Sequence, residues 1–196
     1  MTSHTADWQL LALADAAATP WRNGGGVTRE LLSGPTSTDW RWRLSVADVA
    51  AHGPFSRFEN TQRWFAVLDG AGVVLRFPQA THRLNAHSAV LAFDGEWSCD
   101  CDLIEGATLD FNLMTRGLPA HMQRVRAQTH VHTPAVAGLA AVFALHDDTR
   151  ITQGTQSLSV PRHTLAWRML AAHEVAKEAV QVHSPHALWL FIEGAA

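Results

Sequence analysis

The chain has 196 residues, of which 47% are apolar and 17% charged, and its net charge is −3 with the histidines neutral. This composition supplies a core for one domain or two small joined ones and excludes a disordered chain. The slight acidity offers no electrostatic grip on nucleic acid or on an anionic membrane, and neither is expected as a partner.

Leu10 to Ala18 ("LLALADAAA") resembles a signal-peptide core, but no Lys or Arg precedes it and Asp15 interrupts it. It is read as non-secretory, and the protein is expected in the cytoplasm. Next comes "PWRNGGGVTRE", Pro20 to Glu30. A phosphate loop would need a lysine after its last glycine, and none is near; a dinucleotide fingerprint would need glycine where Arg29 stands. "VTRELL" reads as a strand instead. Glycines at the start of a strand allow close backbone approach. They leave two readings open: a concavity of N–H groups for a carboxylate, or a crossing over another strand.

Trp40 to Val49 ("WRWRLSVADV") alternates, with Trp40, Trp42, Leu44 and Val46 on one face and Arg41, Arg43, Ser45 and Ala47 on the other. Arg63 to Phe77 predicts two strands joined as a hairpin by Asp69-Gly70-Ala71-Gly72. Further strands are expected at Ser88–Phe93, Cys99–Ile104 and Ala107–Thr115, parted by Asp94-Gly95 and Glu105-Gly106. Cys99 and Cys101 are the only cysteines. Two thiolates are too few for a closed zinc site, and this spacing strains a disulfide, so buried reduced thiols are expected.

Gly117-Leu118-Pro119 breaks the run. Strand signals return in "MQRVRAQTHVHT", "AAVFALH", "QSLSV", "HTLAWRML", "AVQVHS" and "ALWLFIEG", with a short helical turn expected in Leu170–Val180. Ala135–Leu145 is too short to cross a bilayer as a helix. Many short strands with glycine turns, in two loosely similar halves, predict an all-β protein of two small barrels, residues 1–117 and 118–196.

Twelve histidines invite a metal reading. His130 and His132 have the His-x-His spacing that opens a cupin metal site, but Val136 and Ala137 stand where its carboxylate belongs. His82 with His87 and His183 with His186 do not suit a strand face. No metal or other cofactor is expected, and without Gly-x-Ser-x-Gly or paired carboxylates no catalytic residue is predicted. Arginines and amides recur on strand faces instead. Asp110, Asn112, Met114 and Arg116 share one face, Arg43 and Ser45 another, and Arg63 with Phe65 and Val67 a third. Such faces are either a barrel interior that holds ligand or water, or the solvated side of a sandwich.

"PWRNGGGVTRE", "WRLSVADV", "GPFSRF" and "DFNLMTRG", in this order, resemble the HutD/Ves family. The specific motifs run from about Trp8 to Gly117, and the resemblance continues more weakly to the C-terminus. It implies a bicupin, two cupin-like barrels of the RmlC-like jelly-roll type in one chain, without the usual cupin metal ligands. It implies a small acidic metabolite as ligand, of the N-formylglutamate or urocanate type, and a role in moderating histidine utilisation rather than catalysis. The alternative is a cupin enzyme, an isomerase or metal-dependent oxygenase, acting on a small carboxylate. A homodimer is left open. Carried over by motif, the ligand-binding residues are Asn23, Thr28, Arg43, Ser45, Arg63, Asp110, Asn112 and Arg116. The stretch before Arg63 reads "ENTQR", where the family tends to have Pro-Gly and an acid, so a turn of different shape is expected there.

Overall fold

A computed structural model describes residues 8–131, 136–171 and 180–195. Alternating apolar residues broken by glycine turns make strand the regular structure of these residues, apart from one 3-10 turn at Leu13–Asp15. The strands are β1 Gln9–Ala12, β2 Ala18–Pro20, β3 Gly26–Pro35, β4 Trp40–Val49, β5 Gly53–Pro54, β6 Gln62–Asp69, β7 Val73–Arg76, β8 Thr81–Leu84 and β9 Leu91–Asp94. They continue as β10 Asp100–Leu103, β11 Thr108–Thr115, β12 Ala120–Val131, β13 Gly138–Ala144, β14 Thr149–Gln153, β15 Gln156–Val160, β16 Thr164–Leu170 and β17 Val180–Glu193. No described helix is long and apolar enough to cross a membrane.

The chain divides into two compact units. Residues 16–117 form one, with a six-stranded sheet in the order β2-β3-β4-β11-β6-β9 and a four-stranded sheet in the order β5-β10-β7-β8. One apolar cluster joins them: Val49, Phe65 and Val67 from the larger sheet meet Val73, Leu75 and Cys101 from the smaller. Both cysteines are buried and free. The other unit takes the described residues up to Asp15 together with those from Leu118 onward. Its sheet runs β1-β16-β13-β17-β14-β15, with β12 also on β17, so β1 pairs with β16 of the second half.

Three expectations change. The expected hairpin of β6 and β7 does not form: β6 pairs with β11 and β9, while β7 pairs with β10 and β8. Both present apolar residues to the same cluster, so they face each other across the core instead of lying edge to edge. The link depends on glycine: Gly70 and Gly72 have φ of 92° and 113°, and a Cβ on Gly72 would collide with the Leu84 carbonyl. Second, "AVQVHS" and "ALWLFIEG" are one continuous strand, β17. Pro185 is tolerated inside it because the β12 register shifts there, between Val125 and Ala127, so no ladder bond is lost. Third, the expected strand at Ser88–Phe93 begins only at Leu91. The helical turn expected in Leu170–Val180 falls mostly outside the described residues.

The three glycines around the start of β3 serve different purposes. Gly24 turns the chain with φ 69°. The Gly25 carbonyl accepts hydrogen bonds from the amides of Ala50 (2.9 Å) and Ala51 (3.1 Å), which fastens the loop to the end of β4. Gly26 lies so close to β4 that an added Cβ would sit 2.5 Å from the Asp48 carbonyl oxygen and 3.2 Å from the Trp21 ring. The crossing reading is the one that fits. The amide of Gly24 donates to the Trp21 carbonyl and that of Gly25 to Asn23 Oδ1, so these amides are already engaged. Gly26→Ala is therefore expected to cost about 2 kcal/mol or more, because backbone must shift. Gly24→Ala, which meets open space, is expected to cost only about 1 kcal/mol for its φ. Urea unfolding of both variants measures the difference.

Candidate functional site

The antiparallel register of β4, β11 and β6 stacks side chains in rows on the inner face of the six-stranded sheet. Met114 lies between Arg43 and Arg63, Asn112 between Ser45 and Phe65, and Asp110 between Ala47 and Val67. A cavity of about 880 Å³ opens over the first two rows and reaches Ala47 in the third. Its walls add Trp21, Asn23 and Thr28 from the glycine loop and β3, and Phe55, Ser56 and Phe58 from the "GPFSRF" stretch.

Arg63 is the centre of this arrangement. It is 5% exposed, and its guanidinium lies 5.6 Å from the ring centres of Phe55 and Phe58 and 5.0 Å from that of Phe93. Nη2 donates to Asn112 Oδ1 at 2.8 Å and Nη1 to the Ser56 carbonyl at 3.4 Å. Nε is buried and has no hydrogen-bond partner among the described residues. No described carboxylate lies within ion-pair distance of it. Burial lowers its pKa to about 10, with Arg43 adding repulsion, which leaves it charged at neutral pH. Aromatic faces and neutral oxygens stabilise a cation but do not neutralise it. This is the setting in which an incoming anion is held most strongly.

Arg43 shares the cavity and lies 5.6 Å from the Trp40 ring centre and 5.8 Å from that of Phe58. Its pKa is also lowered, by burial first, offset by Glu30 and reinforced by Arg116. Arg116 stacks on Trp40, 3.9 Å from the ring centre. Trp40, expected on the face away from Arg43, reaches both arginines because it opens β4 opposite a register irregularity at Gly34–Pro35.

Six of the eight expected residues line the cavity: Asn23, Thr28, Arg43, Ser45, Arg63 and Asn112. Asn23 and Thr28 also shape it, since Asn23 Oδ1 holds the Gly25 amide at 3.0 Å and Thr28 Oγ1 accepts from Trp21 Nε1 at 2.7 Å. Asp110 and Arg116 do not line it. Asp110 is one row deeper, and Arg116 lies beyond the end of β11. In the turn before Arg63, Asn60 has φ 52° and its amide donates to Glu96 Oε1 at 2.8 Å, and Arg63 pairs with Phe93 and Met114. Sequence reasoning missed Glu30, Trp21, Phe55 and Phe58. The aromatics were visible only as motif letters, because loops carry no face to read.

Asp110 is 0% exposed, accepts a 2.8 Å hydrogen bond from Thr108 Oγ1 at Oδ2, and has no partner at Oδ1 among the described residues. Burial raises its pKa to about 7. Burial likewise raises Cys101 to about 12, with Asp110 its largest charged neighbour, and Cys99 to about 11, so neither thiol is a ready nucleophile. Among the described residues no three His, Cys, Asp or Glu side chains come close enough to hold a metal ion. His130 is exposed and His132 lies outside the described residues.

The sequence model of the HutD family matches residues 13–189. An uncharacterised 21.2 kDa protein in the hutC 3′ region of Pseudomonas putida is 41% identical over 108 residues, covering 54% of this chain and 57% of its own length. Protein Ves of Cronobacter sakazakii is 41% identical over 113 residues, covering 57% of this chain and 59% of its own. The chain thus spans less than two thirds of the length of these curated relatives. The formate-condition structure of HutD from Pseudomonas fluorescens SBW25 superposes with a TM-score of 0.80 at 26% identity, over 95% of this chain and 98% of that one. A point mutant of Bacillus subtilis oxalate decarboxylase superposes at 0.63 with 6% identity, over 98% of this chain and 78% of that one. This last likeness carries the fold alone, which is cupin-like.

The Asp110 environment makes stability depend on pH. Its folded pKa of about 7 lies above that of an unfolded carboxyl, so the unfolded chain binds fewer protons between the two values. Stability from this group therefore falls as pH rises through that window and levels off above about pH 7. The difference between wild type and Asp110→Asn in chemical unfolding is expected to move by a few kcal/mol in favour of the variant between about pH 4 and pH 8. A pH-independent difference would mean that Asp110 is ionised in the folded protein throughout.

Proposed function

The chain belongs to the HutD family, and from that membership we propose that it binds a small carboxylate metabolite in the cavity over β4, β11 and β6 and so moderates histidine utilisation. The single observation that carries the reading is Arg63, a buried guanidinium on a cavity wall with no carboxylate partner among the described residues and an unsatisfied Nε. Transferring an isolated cation out of water is costly, and a ligand anion would offset that cost. Arg63 would act as the clamp, Asn112 would fix its orientation, and Ser45 and Thr28 would offer hydroxyls to the rest of the ligand.

The link to histidine utilisation rests on the relative from the hutC 3′ region. Each compact unit is read as one cupin-like barrel, with the ligand in residues 16–117. The role is read as binding without turnover: the cavity walls offer clamps and aromatic surfaces, while the nearby thiols are pushed away from their reactive form.

Calorimetric titration tests the reading. N-formylglutamate, urocanate and glutamate are the probes, against wild type and Arg63→Ala. At least one probe is expected to bind wild type and to lose about tenfold to a hundredfold in affinity in the variant, the worth of one charge-assisted contact. Equal binding by both proteins would remove Arg63 from the site. A thermal melt of each protein separates lost binding from lost folding.

A further inference from the structure

The same cavity holds a second polar pair that the clamp does not use. Strand β3 carries a register irregularity between Glu30 and Leu32, so that Glu30 pairs with Ser45 and Ser33 with Arg43. Two residues three apart thereby point to the same inner face, which a regular strand forbids. Ser33 Oγ donates to Glu30 Oε1 at 2.7 Å and fixes the carboxylate. The other oxygen, Oε2, is 3.9 Å from Arg43 Nε, too far for a hydrogen bond. The Arg43 Nε is itself buried and has no hydrogen-bond partner among the described residues. Were Glu30 there only to neutralise Arg43, a closed, hydrogen-bonded pair would be the expected geometry. Instead an open acceptor and an open donor stand side by side on the cavity wall.

Resting on the reading that Arg63 holds a carboxylate, we propose that Glu30 and Arg43 recognise the ligand's far end, a group carrying both an N–H donor and an acceptor, such as a neutral imidazole or a secondary amide. Glu30 sits three strands from Arg63 in the sheet order, about 14 Å along the sheet at the usual strand spacing. Both side chains reach inward and shorten that span. The arrangement suits an elongated molecule with two unlike ends, and it disfavours one whose far end is a second carboxylate, which would face Glu30.

The test compares two planar acids of the same shape. Urocanate has an imidazole ring, and 3-(2-furyl)acrylate replaces it with a furan that has no N–H. Calorimetry is run at about pH 8, where the imidazole is neutral, on wild type, Glu30→Gln and Arg63→Ala. Wild type is expected to prefer urocanate by about tenfold or more, and Glu30→Gln to bring the two acids to within about threefold. Equal affinities in wild type, or an unchanged preference in Glu30→Gln, would overturn the proposal. If both acids bind equally and both are lost in Arg63→Ala, the carboxylate reading stands and this one falls. If neither binds wild type, this proposal falls, while the carboxylate reading is decided by N-formylglutamate and glutamate. The wild-type preference is decisive by itself should the variant fail to fold.

Discussion

A guanidinium buried without a counter-ion among the described residues is the constraint on which this site depends. Arg63 is enclosed by Phe55, Phe58 and Phe93 and held by one amide oxygen and one backbone carbonyl. The carboxyl two positions before Asn112 is no ready counter-charge, because its pKa is raised to about 7. The flanking strand adds a second cation, Arg43, and β3 supplies one carboxylate to balance it, Glu30. The inner face therefore carries surplus positive charge in a partly dry space, where electrostatic interactions are strongest.

The remaining motifs read as support for that charge. "GPFSRF" provides two aromatic walls and the Ser56 carbonyl. "DFNLMTRG" provides Asn112 and the row geometry of β11. "PWRNGGGVTRE" closes the mouth: its glycines let the loop cross the end of β4, Trp21 packs edge-on against Phe55 at 6.2 Å, and Thr28 anchors the indole. The irregularity in β3 then turns Glu30 inward. Each motif contributes one wall, and the sheet register brings the walls together.

Much of this was legible beforehand, for identifiable reasons. Period-two alternation put Arg43 with Ser45, and Asn112 with Asp110 and Arg116, on shared faces without deciding whether those faces point inward, and the family motifs supplied Asn23 and Thr28. What alternation cannot encode is which strands become neighbours. The Gly70–Gly72 link looks like a hairpin locally, yet the apolar faces of β6 and β7 are better buried against each other across the core. Nor can it encode irregularities, so Glu30 was missed and Pro185 reads as the end of a strand that in fact continues. Asp110 and Arg116 share a face with Asn112 by alternation, but the cavity covers only part of that face. Short polar strands such as Thr81–Leu84 gave no signal, since half-exposed residues carry little hydrophobic pattern.

The most direct measurement of the central claim is a crystal structure of the protein soaked with 4-bromobenzoate, with anomalous scattering locating the bromine. The account predicts a bromine peak inside the cavity, with the carboxylate of the same molecule on the Arg63 guanidinium. Bromine bound elsewhere, with Arg63 satisfied by protein groups alone, would contradict it.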